Sequence, residues 1–250
     1  PRTDAISAMT MDIKPRTDSI SAMTIDKSRD KIYAVWPETG IIGVAYGSST
    51  EVIGAIDLTK YCFDKSKAAN AGPGLVNIAV NEKKNKLYVD LYNEKKILVF
   101  NGSTLVKENE ASFTTDKKRH SALFSNDDKD VIYLNNKIIN ATTLKETSTF
   151  SKGYVVAFNN EKDAVYLVDM VSLGLGKQQE KIYEFSNNKY AKEWSLDAIT
   201  GGVASNFYFD FKNSHFYAAY FTDGKVKKYD LNTGSTPTAS SSSSVPATGA

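Results

Sequence analysis

The chain has 250 residues, 41% of them hydrophobic, so it can bury an ordinary core in one large domain or two smaller ones. Its 31 lysines and arginines barely exceed its 29 aspartates and glutamates and are scattered, which argues against nucleic acid or anionic lipid as a partner. The single cysteine, Cys62, excludes an internal disulfide, and no apolar run reaches the roughly 18 residues of a transmembrane segment.

The chain begins with a duplication. Residues 1–10 and 15–24 differ only at Ala5 and Ser19. We therefore treat residues 1–14 as a duplicated leader, separate from the domain at residues 15–234.

A longer repeat runs through residues 15–234. A tyrosine preceded by an apolar residue recurs about 46 residues apart on average. The five tyrosines are Tyr33, Tyr88, Tyr133, Tyr166 and Tyr217. An Asp or Asn stands seven residues before each tyrosine, and an Asp, Asn or Ser stands three residues before it. Because such side chains bond their own backbone and tolerate left-handed conformations, each unit is predicted to contain an inner strand, a tight turn and a second strand carrying the tyrosine.

Each unit then continues with a third strand, a second turn and a fourth strand. The second turns are predicted at Asp57, Asn101, Asn140, Asn187 and Asp230. Tandem four-stranded units of about 40 to 50 residues are typical of propeller blades. We predict an all-β fold, a β-propeller of five four-stranded blades, followed by a disordered Ser/Thr-rich tail or stalk at residues 235–250.

The second unit is the most regular and reads VNIAVNEKKNKLYVDLYNEKKILVFNGSTLVKE over residues 76–108. This order of inner strand, turn, LYV, variable loop and a closing Asn-Gly resembles YVTN/NHL-type β-propeller repeats. The Asn101-Gly102 pair predicts a type I′ hairpin turn with positive φ at both residues. The resemblance implies the fold and little else, because propellers host binding modules, lyases, lactonases and glycosidases alike.

Residues suited to catalysis are few. The two histidines, His120 and His215, belong to no recognisable nucleophile motif, although His120 opens an inner strand near the predicted channel mouth. Asp90 and Asp169 closely follow the tyrosine of their blades, where they face a ligand or calcium, or are simply solvated strand ends. The sequence identifies no metal site, and we predict no cofactor, with a channel calcium as the alternative.

Two connections between second and third strands are predicted to be long, at residues 36–50 in blade one and 170–179 in blade four. Long connections in compact domains are usually functional or disordered. We predict ligand-binding residues on this insertion face: Trp36, Tyr46, Asp90, Tyr92, His120 and Asp169. Packing of the apolar insertion on neighbouring blades is the alternative. The insertion face is expected to lie opposite Asn101 and Asn140.

Asn101 and Asn140 each begin a glycosylation sequon, NGS and NAT, at equivalent turns. Asparagine is also simply a good turn residue, so the two interpretations stay open. With the Ser/Thr-rich tail, the sequons favour a secreted or cell-surface protein. We predict a non-catalytic recognition or assembly module for an extracellular protein or glycan. The competing hypothesis is a lactonase-like or lyase-like enzyme whose channel metal involves Asp90, Asp169 and His120.

The fifth unit supplies no convincing fourth strand after Lys225 to Asp230. Residues 4–13 form a strand pattern without a blade, so we predict that they add to the last blade as its outer strand. Exchange of this strand with a neighbouring molecule would instead produce self-assembly. A disordered leader is the remaining alternative.

Overall fold

The computed structural model describes residues 20–36, 39–49, 51–62, 76–92, 94–113, 123–174, 177–196, 206–220 and 224–235. This part of the chain forms nineteen β-strands, one 3-10 turn and one short helix, Thr59–Cys62. The strands fall into five antiparallel sheets, each a simple meander in chain order. The predicted all-β fold with five blades is confirmed.

Four sheets have four strands and the fifth has three in the described residues. Blade one contains β1 (Ala22–Asp26), β2 (Lys31–Trp36), β3 (Ile41–Tyr46) and β4 (Val52–Asp57). Blade two contains β5 (Val76–Asn81), β6 (Lys86–Leu91), β7 (Lys96–Asn101) and β8 (Lys107–Ser112). Blade three contains β9 (Leu123–Asn126), β10 (Val131–Leu134), β11 (Lys137–Asn140) and β12 (Glu146–Thr149). Blade four contains β13 (Tyr154–Asn159), β14 (Ala164–Gly174), β15 (Lys177–Ser186) and β16 (Lys189–Ser195). Blade five contains β17 (Asn206–Asp210), β18 (His215–Tyr220) and β19 (Lys225–Asp230).

The first strands of all five blades surround one central cavity of about 590 Å³. This arrangement, with the first strand innermost and the last strand outermost, is that of a β-propeller. Successive side chains of a strand point to opposite faces of its blade, so one strand can contribute apolar side chains to the contacts with both neighbouring blades.

The hydrophobic cores lie between blades. Four clusters of buried side chains join blades one and two, two and three, three and four, and four and five. The repeat tyrosines of the first four blades, Tyr33, Tyr88, Tyr133 and Tyr166, are buried in these clusters. In blades one to four the recurring tyrosine therefore marks the side of the blade that packs against the next blade.

The turns between first and second strands all lie on one face of the propeller, which we call the turn face. Hydrogen bonds connect them from blade to blade: the Glu82 carboxylate accepts from the backbone N–H groups of Lys27 and Ser28 at 3.3 and 3.1 Å. Lys129 of blade three likewise pairs with Asp163 of blade four. The opposite face, where second strands end, we call the loop face.

In blade one the predicted insertion at residues 36–50 is wrong. Residues 41–46 form β3, and the turn before it is closed by a hydrogen bond from Gly40 N–H to the Trp36 carbonyl at 3.0 Å. Gly43 lies within this strand. A glycine is needed there because a Cβ would lie 2.6 Å from Cζ3 of Trp36, in the space that the indole occupies. Asp57 consequently ends the fourth strand, where its carboxylate accepts from Thr59 N–H at 2.8 Å, and does not form the second turn.

The predicted type I′ turn at Asn101-Gly102 is also wrong. The residue with positive φ is Leu105, at 59°, and the equivalent Leu144 of blade three has φ 56°. Both turns are longer than two residues and follow a register shift in the ladder. Gly102 is instead required for close approach, since a Cβ there would lie 2.6 Å from Asn85 Oδ1.

The chain leaves blade five by crossing back to blade four. Ser235 exchanges two backbone hydrogen bonds with Glu193 in β16, at 2.8 and 2.9 Å, so it belongs to the folded domain and not to the predicted tail. The leader at residues 1–14 and the tail at residues 236–250 lie outside the described residues, so both predictions stay untested. No helix in the described part of the chain has the length and apolar character needed to span a membrane.

Candidate binding surface on the loop face

The wall of the central cavity is built from hydroxyl, amide and apolar side chains. Thr24, Asn77 and Ser125 supply its polar part, and Met23 and Ile78 are among its apolar residues. None of the described residues that line it is an aspartate, glutamate, histidine, lysine or arginine. The lining also includes Tyr154, a titratable phenol whose pKa is raised by burial. The wall therefore offers neutral hydrogen-bonding groups, which suit a neutral ligand or water.

The structure places four of the six predicted ligand-binding residues on the loop face. All four lie near the loop-face end of the pairing between the first and second strands of their blade: Trp36, Asp90, Tyr92 and Asp169. Tyr46 does not, because it pairs with Lys31 at the turn-face end of blade one, as Asn101 pairs with Lys86 in blade two. The expectation that Tyr46 lies opposite Asn101 is therefore wrong. His120 lies outside the described residues.

Asp90 is a buried carboxylate, with 1% of its surface exposed. In the register of blade two it stands opposite Asn77, which lines the cavity, and on its other side opposite Ile97. It therefore sits one strand behind the cavity wall, on the side of the blade that faces blade three. The interpretation of Asp90 as a solvated strand end is excluded.

Asp169 belongs to an acidic group at the loop-face end of blade four. Its carboxylate accepts from Met170 N–H at 2.9 Å, and in register it stands opposite Lys181, whose ammonium pairs with the partly buried Glu193 at 2.9 Å. Burial, reinforced by Glu193 and Asp169, raises the pKa of Tyr183 to about 12. The raised pKa extends the pH range over which this phenol stays protonated and can donate a hydrogen bond.

Asp90 and Asp169 are not brought together, because blade three separates their blades. Within the described ranges, no group of three or more His, Cys, Asp or Glu side chains is placed to hold a metal ion. Asp90 and Asp169 therefore cannot bind one metal ion together, as the competing enzyme hypothesis requires.

The most prominent feature of the loop face is a projecting hairpin, which we call the blade-four hairpin. Strands β14 and β15 stay paired from Asp169 opposite Lys181 out to Gly174 opposite Lys177, whereas pairing with the inner strand β13 ends at Val168. At about 3.3 Å per residue, the six residues beyond Val168 extend the ribbon by about 20 Å. The connection at residues 170–179 was predicted to be a long loop, and its strand alternation was hidden by the small and glycine residues of MVSLGLGKQQ.

Two of the described side chains of the blade-four hairpin are apolar and exposed. Met170 and Leu173 are each 51% exposed. Its base is fixed, since Gln179 Nε2 donates to the Leu196 carbonyl at 2.9 Å and Leu196 N–H donates to the Glu180 carbonyl at 2.9 Å. The result is a ribbon with an anchored base that exposes Met170 and Leu173.

The two sequon asparagines form turns on the turn face. The Asn101 side-chain oxygen accepts from the N–H groups of Ser103 and Thr104 at 2.9 and 3.0 Å, and Asn140 does the same with Thr142 and Thr143 at 3.0 and 2.7 Å. These bonds explain asparagine at both turns by local structure. Glycosylation of Asn101 and Asn140 stays a prediction, because these hydrogen bonds do not test it.

No family model matches the chain, and no curated protein matches it in sequence. Among solved structures, it is similar to the WD40 repeats of RRP9 at 14% identity and a TM-score of 0.56, covering 87% of this chain and 62% of that one. It is also similar to U3-55K, at 14% identity and 0.56 over 88% and 63% of the two chains, and to hydrazine synthase of Kuenenia stuttgartiensis, at 9% identity and 0.58 over 85% and 58%. The chain spans about 58 to 63% of the length of these structures. At such identities the likeness establishes the β-propeller fold, while the YVTN/NHL resemblance stays a prediction.

Proposed function

We propose that the protein is a non-catalytic recognition module that binds another protein through the loop face, with the blade-four hairpin as the main contact. The observation that carries this proposal is the ribbon itself, whose base is anchored and whose Met170 and Leu173 side chains are each 51% exposed. An isolated two-stranded ribbon gains little stability for its own fold, so its apolar side chains are better explained by a partner.

The lining of the cavity and the position of the acidic residues support binding over catalysis. Protein interfaces are centred on a few apolar anchors surrounded by polar groups. The hairpin supplies two such anchors, and Asp169 and Lys181 at its base supply polar groups beside them.

The proposal is tested by replacing residues 171–179 with Asn-Gly, which leaves Met170 and Glu180 flanking a two-residue hairpin turn. A photoreactive amino acid at Leu173 is used to cross-link proteins of the culture medium and cell surface of the source organism. The same amino acid at Val106, which is equally exposed on the turn face, is the matched control. We expect one discrete cross-linked protein from position 173 and none from position 106.

The purified cross-linked protein is then titrated against both forms of the module. We expect the shortened hairpin to bind at least about tenfold more weakly, corresponding to about 1.4 kcal/mol, without loss of thermal stability. Equal binding by the two forms would overturn the hairpin as the contact surface. Binding to a glycan array with the same affinity by the shortened and the parent protein would favour a glycan ligand instead.

We further propose that the module works outside the cell, as a secreted or surface protein, on the basis of the paired sequons and the Ser/Thr-rich tail. Thr142→Ala removes the NAT sequon, whereas Thr142→Ser keeps both the sequon and a hydroxyl for Asp130, which Thr142 Oγ1 contacts at 2.8 Å. After expression through a eukaryotic secretory pathway, we expect one glycan fewer for the alanine variant and no change for the serine variant. Identical masses for all three proteins would contradict use of Asn140.

A further inference from the structure

An amine, an amide and a carboxylate meet at the turn-face end of blade two. Lys86 and Asn101 stand directly opposite each other on the neighbouring strands β6 and β7. Residues paired in this way have their Cβ atoms about 4.5 to 5.5 Å apart. The Lys86 ammonium pairs with Oε2 of Glu108 in β8, and Asn101 Nδ2 donates to Oε1 of the same carboxylate at 3.0 Å. Glu108 therefore holds the lysine nitrogen and the amide nitrogen side by side.

An irregularity of the outer strand places Glu108 in this position. The register between β7 and β8 shifts, so that Val99 stands opposite Asn109 and Phe100 stands opposite Lys107. Glu108 lies between these two partners and is the extra residue of a bulge. Because a bulge re-aims a side chain relative to regular strand alternation, the carboxylate can reach both β7 and β6.

The side-chain carbonyl of Asn101 is polarised by hydrogen-bond donors. Its Oδ1 accepts from the N–H groups of Ser103 and Thr104 at 2.9 and 3.0 Å, and from Asn85 Nδ2 at 3.3 Å. Donors fixed around a carbonyl oxygen stabilise the negative charge that the oxygen acquires when a nucleophile attacks the carbon. The turn thus gives this amide the arrangement of an oxyanion hole.

The Glu108 carboxylate is suited to accept a proton. Hydrogen bonds from Lys86 and Asn101 lower its pKa, so it is ionised at neutral pH. An ionised carboxylate beside an ammonium can remove a proton and release the nucleophilic amine. Since the ion pair is the favoured state, the amine is free in only a small fraction of molecules, and a reaction through it is slow. The side chains of Lys86 and Glu108 are 29% and 33% exposed, so ammonia formed between them can leave.

We propose that Lys86 and Asn101 join in an intramolecular isopeptide bond between β6 and β7, with Glu108 transferring the protons. Glu108 takes a proton from the Lys86 ammonium, and the freed amine attacks Cγ of Asn101 to form the new C–N bond. Glu108 passes that proton to Asn101 Nδ2 and takes a second proton from the attacking nitrogen. The bond from Cγ to Nδ2 then breaks, and ammonia leaves as ammonium with the second proton. The step consumes no oxidant and no co-reactant.

The structure disfavours the competing loss of ammonia that is typical of Asn-Gly sequences. In that reaction the backbone nitrogen of the glycine attacks the asparagine side chain. Here the Gly102 N–H donates to the Asn85 carbonyl at 2.8 Å, which holds this nitrogen in another contact. Lys86 is therefore the better placed nucleophile.

Blade three repeats the turn without the lysine. Asn140 Oδ1 accepts from the N–H groups of Thr142 and Thr143 at 3.0 and 2.7 Å, but the residue opposite Asn140 is Val131. Asn140 therefore has the polarised carbonyl and lacks a nucleophile across the strand pair. The isopeptide bond would use Asn101 and leave Asn140 for the glycan proposed above.

Mass spectrometry tests the bond in the full chain produced in the bacterial cytoplasm, where asparagine is not glycosylated. After several days of incubation, we expect a mass lower than that of the sequence by one ammonia, and a protease digest that contains Lys86 and Asn101 in one branched peptide. Lys86→Arg keeps a cation beside Glu108 but removes the primary amine, so it should retain its full mass. Lys137→Arg, at the ion pair with Glu146 in blade three, is the matched control and should lose ammonia as the parent protein does.

Glu108→Gln separates proton transfer from positioning. Glutamine still accepts from Asn101 Nδ2 but is a far weaker base, so we expect the bond to form at least about a hundredfold more slowly. An unchanged rate would overturn the role of Glu108. Circular dichroism of both variants verifies that a lost reaction does not reflect a lost fold.

Three results would overturn the bond itself. The first is a parent protein that keeps its full mass. The second is loss of ammonia by Lys86→Arg, because Gly102 would then be the nucleophile. The third is loss of water in place of ammonia, which would join Lys86 to Glu108.

Discussion

The phenol of Tyr33 in blade one donates a hydrogen bond to the carbonyl of Gly102 in blade two, at 2.9 Å. Tyr88 of blade two reaches the carbonyl of Ala141 in blade three in the same way, at 3.2 Å. In blades one and two the repeat tyrosine therefore fills the interface and also forms a polar connection to the turn of the next blade, whereas Tyr166 of blade four donates to Glu184 of its own blade at 3.1 Å. Its phenol is satisfied inside the interface, as a buried hydroxyl must be.

Removing the Tyr33 hydroxyl should weaken the first interface without changing the fold. We expect Tyr33→Phe to lower the free energy of unfolding by about 1 kcal/mol. The loss stays at that level because Lys31 Nζ also donates to the Gly102 carbonyl, at 2.7 Å, and keeps it paired. Urea denaturation measures the change, with exposed Tyr208→Phe as the control that should differ little from the parent protein. Equal effects of the two substitutions would contradict a role for the interblade bond.

Gly102 should tolerate no side chain while Asn85 is present. A Cβ at residue 102 would lie 2.6 Å from Asn85 Oδ1 and 3.2 Å from the Tyr33 hydroxyl, so we expect Gly102→Ala to cost about 1 to 3 kcal/mol. Asn85 has φ 54°, a conformation that glycine adopts easily, so Asn85→Gly removes the close side-chain oxygen without backbone strain. In a double-mutant cycle, Gly102→Ala should cost clearly less in the Asn85→Gly background. Full additivity of the two changes would exclude the clash.

Stability should fall at alkaline pH because the buried tyrosines resist ionisation. Burial raises the pKa of Tyr33 to about 12, with Asp26 adding to it, and the pKa of Tyr183 is also raised to about 12. Since a free tyrosine has a pKa near 10, the unfolded chain releases these protons first. Stability is thus fully present below about pH 10 and is lost as the pH rises toward about 12. Denaturation midpoints from pH 8 to 11.5 measure this, and a flat profile above pH 10 would contradict it.

Two kinds of polar contact on the turn face should differ in their response to salt. The exposed pairs Lys84 with Asp130 and Lys129 with Asp163 should each contribute about 0 to 1 kcal/mol, so Lys84→Met should have a small effect that disappears in about 1 M salt. The Glu82 carboxylate binds two backbone N–H groups of the preceding blade, so Glu82→Ala should cost about 1 kcal/mol or more at either salt concentration. Denaturation at low and high salt separates the two cases, and complete loss of the Glu82 effect in salt would contradict the assignment.

The sequence was most informative where one residue type has one structural role. The repeat tyrosines predicted five blades because those of blades one to four fill the same interblade position, and the Asx residues predicted the first turns, where Asn85, Asp130 and Asp163 all have positive φ. Glycine was misleading because it has several roles. Gly43 suggested a loop, but it lies in a strand, where it leaves space for Trp36. Because residues 41–46 were predicted to be a connection and not a strand, Tyr46 was predicted on the wrong face.

The candidate surface was only partly predictable for a related reason. Ends of second strands could be assigned from the repeat, so Trp36, Asp90 and Asp169 were placed on one face correctly. Burial of Asp90 depends on blade three, which the local sequence of blade two does not contain. The hairpin required knowing that the two strands stay paired beyond the sheet, a property of backbone geometry that MVSLGLGKQQ does not reveal by its polarity.

The crossing of the chain from blade five to blade four also determines how the molecule would respond to mechanical tension. A pull on the chain end acts first on the two backbone hydrogen bonds between Ser235 and Glu193, and on Gly234, which lies against the indole of Trp194. Only after this contact opens does the force reach β19 and begin to peel blade five away. Ser235 would thus act as a mechanical clamp, and a tether attached beyond it would transmit force first to Glu193 in blade four.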